Sequence, residues 1–321
     1  MRNLFLILFV SFFISSNIFS QKIDTSFTVY SAYQQAIVDF PFIKIVQPIL
    51  PENVNTRKNL TFINYGEREL KLDIFFPSEN GNYIPAIILI HGGGWHSGNK
   101  SQHIPLAMQL ASNGFVAASV EYRFSQEAIF PAAIIDVKNS IKWLKKNFEE
   151  YKIDTNKIAV LGFSAGGQIA SLVGFAQNIS EFEDKSFPNI SSKVHAIINI
   201  DGLLDFLHSE SKEFDEIPNP EKPRSAHLWF GTSQIENPEI WKKGSPINYV
   251  TENSCPILFV NSAVPHYHAG RDDVIKKLQN FNIYFEQNNL EKSPHTFMLF
   301  HPWFSETKNL VVNFLNKIFF H

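Results

Sequence analysis

The stretch Leu161-Gly162-Phe163-Ser164-Ala165-Gly166-Gly167 decides how this chain is read. Ahead of it, Ile158-Ala159-Val160-Leu161 is a short apolar run of the kind a buried strand shows. Behind it, Gln168-Ile169-Ala170-Ser171-Leu172 is a small-residue run able to turn helical. Between them stands Gly-x-Ser-x-Gly. Glycines on both sides of Ser164 let the backbone turn sharply and pack closely, which predicts a strained bend presenting the serine hydroxyl, a nucleophile elbow. The plainer alternative is an ordinary loop of common residues.

A second stretch lies upstream. Ile87-Ile88-Leu89-Ile90 is another buried-strand run, and His91-Gly92-Gly93-Gly94-Trp95 follows it. Consecutive glycines leave backbone N–H groups uncovered. Such groups can point at the oxyanion of an acyl-transfer reaction. Two glycine-rich turns in this order, each after an apolar strand run, make a joint catalytic origin the better reading.

These residues carry a resemblance. Together with Glu121-Tyr122-Arg123, Ser245-Pro246-Ile247-Asn248-Tyr249-Val250 and His295-Thr296-Phe297, the chain from about Leu60 onward resembles the α/β-hydrolase esterases of the hormone-sensitive-lipase-like branch. It looks more closely like secreted bacterial carbohydrate esterases, the acetyl-xylan and feruloyl esterase relatives. The two glycine motifs specify fold and reaction type, not substrate.

Elsewhere, strand and helix patterns alternate. Strand runs fall at 60–65, 71–76, 85–90, 115–120, 194–200, 256–260 and 282–287. Amphipathic runs fall at 101–113, 130–148, 272–281 and 307–319. That alternation predicts an α/β-hydrolase fold, a mostly parallel sheet with helices on both faces. Ligands then bind at the carboxyl ends of the strands, where both glycine turns sit.

Ser164 needs a base within hydrogen-bond reach. In this fold the order along the chain is serine, acid, histidine. His295 fits, after the last strand run and before the closing helix; His301 and His321 compete, with His301 read as a packing residue between Phe300 and Pro302. The oxyanion donors implied are the N–H groups of Gly93, Gly94 and Ala165.

The acid is open. The resemblance places an Asp in the loop after the strand at 257–260, but this chain reads Asn261-Ser262-Ala263-Val264-Pro265 there. Asp272 at the start of the next helix is the favoured substitute. Asp201, directly after the strand at 194–200, is the alternative, and a backbone carbonyl is the third. Each Asp also has an ordinary use, as helix cap or turn former. His266, His268 and Arg271 cluster nearby without metal-helix spacing, and read as substrate-contacting or loop-fixing.

The chain has 321 residues, a net charge of −3, and 44% hydrophobic residues including 31 Phe. There is no broad basic field for nucleic acid. Cys255 is the sole cysteine, so no internal disulfide forms. It reads as a small buried hydrophobe.

Arg2 followed by the apolar run 4–14 and small residues to Ser20 reads as a signal peptide cleaved near Ser20/Gln21. The expected mature protein is periplasmic or secreted, with no stable membrane insertion. Residues 21–58 read as an extension packed on the domain. Residues 59–321 read as the hydrolase domain, with a small cap inserted at about 203–243.

The expectation is therefore a secreted serine esterase that needs no cofactor or metal and acts on an acylated sugar or polysaccharide, with acetyl the favoured acyl group. The rivals are a short-chain carboxylesterase, a non-catalytic glycan-binding hydrolase fold and, less favoured, a peptidase.

Overall fold

The computed structural model describes residues 26–79, 81–214 and 224–320. The expected targeting segment and part of the expected cap fall outside them. In chain order the elements are α1 (Val29–Ala36), β1 (Lys44–Ile45), β2 (Val54–Tyr65), β3 (Arg68–Pro77), β4 (Ile84–Ile90), α2 (Ile104–Ser112) and β5 (Val116–Val120). There follow α3 (Ala132–Lys146), α4 (Phe148–Tyr151), β6 (Ile153–Phe163), α5 (Ala165–Phe175), β7 (Ala196–Ile200), α6 (Ser225–Phe230) and α7 (Pro238–Gly244). The last are β8 (Ile257–Asn261), α8 (Arg271–Asn280), β9 (Phe285–Asn289), β10 (Phe300–His301) and α9 (Trp303–Phe320).

Among the described residues, β2-β3-β5-β4-β6-β7-β8-β9 form one sheet. The β2–β3 and β3–β5 pairs are antiparallel, and every pair from β5 to β9 is parallel. The central strands are mostly apolar where both faces are covered, as in 84–90 and 158–163. Ile88, Ile90 and Val160 pack on one face with α3 and α5. Ile87, Leu89 and Leu161 pack on the other with α2 and α9. This alternation by single residues is the strand period of two.

In the N-terminal segment Ala32, Ala36, Ile43 and Val46 join the core on the α2–α9 face. Its pairing of β1 with β10 has no sequence signal, since two-residue strands carry no periodicity. The last strand begins at Phe285 rather than Asn282, because Asn282 adopts a left-handed turn (φ 55°) that closes α8. His301 departs from its expected packing role. It is exposed, on β10 opposite Lys44, with its ring edge-on to Phe304 at 6.0 Å. Cys255 is buried as expected, and burial pushes its thiol up to about 12, so it is no nucleophile at neutral pH.

Candidate active site

The elbow forms where β6 runs into α5. Ser164 carries φ 56° and ψ −123°, a conformation L-residues rarely adopt, costing on the order of 1–3 kcal/mol. Packing over-determines it. Ser164 N donates to Ile200 O at 2.9 Å. A Cβ on Gly166 would lie 2.0 Å from Ile90 O, so only glycine lets the elbow press against the end of β4. The strain has a consequence: Ser164 Oγ stands clear of the helix that follows, beside the cavity.

His295, in the loop between β9 and β10, places Nε2 2.8 Å from Ser164 Oγ. Its Nδ1 lies 2.9 Å from Asp201 Oδ2. The carboxylate can only accept, so Nδ1 carries the proton and Nε2 offers its lone pair to the serine hydroxyl.

Asp201 directly follows β7, on a turn with φ 49°. Its side chain is fully buried (0% exposed), and a buried carboxylate requires donors. It has them: Ser262 N at 2.9 Å and Asn261 Nδ2 at 3.5 Å, besides His295. Asn199 fixes the turn, donating from Nδ2 to Gly202 O at 2.9 Å and accepting from Gly202 N at 2.8 Å.

Asp272 does not reach His295, which corrects the sequence expectation. Its side chain is 71% exposed and accepts from Arg271 Nε at 2.8 Å. As a first-turn acid of α8 it complements the helix dipole. The loop after β8, which holds no carboxylate, donates to Asp201. Arg271 serves as loop-fixing: its Nη1 donates to Asn261 Oδ1 at 3.0 Å, leaving the Asn261 amide nitrogen turned to Asp201.

The glycine loop follows β4. Gly93 has φ 129°, and a Cβ there would lie 2.1 Å from Ser97 O. Gly93, Gly94 and Ala165 line the same cavity as Ser164. Among the described residues their N–H groups donate to no side chain or loop carbonyl. His91 anchors the loop, with Nδ1 donating to Gly92 O at 2.9 Å and its ring stacked 4.5 Å from Tyr122. Burial lowers its pKa to about 3, so it stays neutral and takes no part as a base.

Gln168 in α5 accepts from Trp95 Nε1 at 2.9 Å and donates to Gly244 O at 2.8 Å. One buried amide thus joins the glycine loop, the elbow helix and α7. A polar residue inside an otherwise small and apolar helix was the available signal for it. Trp95 packs with Phe206, Trp229, Phe230 and Trp241, four residues of the stretch 203–243, as an aromatic cluster.

The cavity holds about 430 Å³. Besides the elbow and the glycine loop, it is bordered by Phe27, Ser31 and Gln35 near or on α1, Leu203, Ser225, and His266 with Tyr267 after β8. Participation of the N-terminal segment was not legible in the sequence. His268 lies in a separate depression with Arg271, Asn289 and Glu291. Among the described residues, no group of three or more His, Cys, Asp or Glu side chains could hold a metal ion.

Comparison with known proteins agrees with this architecture. The chain is 30% identical to esterase LipC of Mycobacterium tuberculosis over 196 residues, covering 60% of this chain and 45% of that one. It is 28% identical to esterase LipQ of the same organism over 218 residues, 67% of this chain and 49% of that one. The chain spans about half the length of the curated relatives it matches. Among solved structures, a truncated carbohydrate esterase from gut microbiota aligns with a TM-score of 0.71 at 22% identity, over 84% of this chain and 99% of that one. Propionate-bound esterase Est2 of Thermogutta terrifontis aligns at 0.67 and 22%, over 84% and 97%. The fold is thus that of the α/β-hydrolases. Residues 72–276 match the BD-FAE family, and with most of the chain inside that match, the protein belongs to it.

Proposed function

We propose that this chain is a serine ester hydrolase that removes a small acyl group, acetyl first, from a sugar hydroxyl. The observation that carries this reading is the line Ser164–His295–Asp201, with separations of 2.8 and 2.9 Å, beside a glycine loop whose Gly93 and Gly94 N–H groups have no acceptor among the described residues. Ser164 Oγ attacks the ester carbonyl carbon while His295 Nε2 takes its proton. Asp201 orients the ring and balances the imidazolium charge. Gly93, Gly94 and Ala165 N–H groups receive the oxyanion, each such donor being worth ~3 kcal/mol. The carbon–alkoxide bond breaks as His295 protonates the leaving oxygen. Water then attacks the acyl-enzyme, gives a proton to His295, and releases the acid as that proton returns to Ser164.

The carbohydrate reading is supported by polar groups on the cavity wall, Ser31, Gln35, His96 and Ser225, suited to hydroxyl-bearing substrates. A structural neighbour described as a carbohydrate esterase points the same way. The 1–20 pattern supports export, which a polymer substrate outside the cell requires. A short-chain carboxylesterase is the second reading, favoured by Phe27, Trp95 and Leu203 on the same cavity. The assembled triad counts against a non-catalytic binder.

The test is acetate release from acetylated xylan by the wild type and by Ser164→Ala, beside hydrolysis of p-nitrophenyl butyrate. Release lost in Ser164→Ala supports the proposal. Butyrate turnover without acetate release rejects the carbohydrate substrate and leaves the short-chain esterase.

A further inference from the structure

His295 is held by more than its two hydrogen bonds. The ring of Tyr267 lies against it, with centroids 3.4 Å apart and planes 10° from parallel. Phe163, the residue before the nucleophile, lies further off at 4.9 Å and 34°. Tyr267 sits on the short turn Pro265–His268, in the loop where the resemblance places an Asp that this chain lacks. That loop gives Asp201 its Ser262 N–H and, further along at Tyr267, lays an aromatic face on the histidine.

The geometry is informative. Two neutral aromatic rings prefer offset or edge-to-face packing over a close parallel sandwich. A cation over a ring face gains from close approach. The arrangement therefore suits the protonated imidazole better than the neutral one, and the imidazole is protonated during the reaction. The hydrogen bonds to Asp201 and Ser164 fix the two edges of the His295 ring and leave rotation about the line joining them. A flat neighbour stops that rotation.

We propose that Tyr267 is a positioning residue for His295, fixing the plane of the imidazole and stabilising the imidazolium that forms when Ser164 gives up its proton. The inference rests on the serine-hydrolase reading. The groups facing His295 are the Asp201 carboxylate, the Ser164 hydroxyl and the Tyr267 and Phe163 rings. His266 packs on Tyr267 at 3.8 Å, and Arg271 stands behind Asp201 through Asn261. Because Tyr267 also borders the cavity, a role as substrate wall is the competing explanation.

The two separate in steady-state kinetics on p-nitrophenyl acetate with the full chain. Tyr267→Phe keeps the ring and is expected to retain more of kcat than the variants that remove it. Tyr267→Leu and Tyr267→Met remove the π face, Met filling more of the space, and each is expected to lower kcat about tenfold, with KM within twofold. The acid limb of the kcat/KM profile is expected to move to lower pH in both, since the imidazolium loses a stabilising neighbour. Unchanged kcat, a rise in KM alone, or an acid limb moved to higher pH in the folded Met variant would overturn the proposal. Failure of the underlying reading looks different: wild type that is inactive, or no more active than Ser164→Ala, removes both.

Discussion

Asp201 Oδ2 lies 2.9 Å from His295 Nδ1 across 94 residues of sequence, and its other oxygen is held by Ser262 N. The Asp201 carboxylate stands at the end of β7, and the loop after β8 donates to it. Asp201→Asn keeps the shape but takes away the charge and invites the wrong histidine tautomer. It is expected to lower kcat about 10⁴-fold. Asp272→Asn removes an exposed ion pair and is expected within about threefold of wild type. Initial rates on p-nitrophenyl acetate, with circular dichroism to confirm folding, check both; equal losses would return the acid to question.

The conformation of the 91–95 glycine loop depends on glycine at one position above all. Gly93→Ala puts a Cβ 2.1 Å from Ser97 O at φ 129°, so backbone must shift and its N–H leaves its direction. A loss of at least about 10²-fold in kcat is expected, with smaller change in KM. Wild-type kcat in this variant would show that Gly93 N–H faces no oxyanion.

Gln168→Leu keeps volume but leaves Trp95 Nε1 and Gly244 O without their partner in the protein interior. An orphaned buried polar group costs about 1–3 kcal/mol, so a lower urea midpoint is expected. Activity should fall too, because Trp95 ends the glycine loop proposed to receive the oxyanion. A midpoint unchanged from wild type would mean the bridge contributes nothing.

Stability should fall with acidity through two buried histidines. Burial lowers His91 to about 3 and His103 to about 4. Their unfolded values lie near 6.5, so below that pH the unfolded chain binds protons that the folded chain refuses. The stability they permit is full above about pH 6.5 and is lost as pH falls toward 4, at up to about 1.4 kcal/mol per pH unit for each. His103 Nε2 donates to Ile90 O at 3.0 Å, a bond that an amide can replace. His103→Gln should therefore flatten the dependence between pH 6 and 4.5 by about one proton, read from urea unfolding at several pH values. An unaltered slope would contradict this.

Much of this was legible in residue types. The apolar runs 87–90 and 158–161 and the glycines after them located β4, β6 and both turns, because covered parallel strands cannot hide their composition. His295 followed from chain order. The acid did not: Asp-Gly at 201–202 looks like any turn, and the helix start at Asp272 looks equally like an acid's place. The 2.9 Å contact of the buried Asp201 with His295, a contact between distant segments, decides between them. Tyr267 and Gln168 were hidden for the same reason, since their contacts join segments far apart in sequence.

Reaction with a fluorophosphonate, followed by peptide mapping, tests the central claim most directly. A nucleophile activated by His295 should give one covalent adduct, on Ser164, formed rapidly in wild type and at least about 10³-fold more slowly in His295→Gln. A folded protein that stays unlabelled, or is labelled equally fast without His295, would show that the Ser164–His295 contact activates nothing.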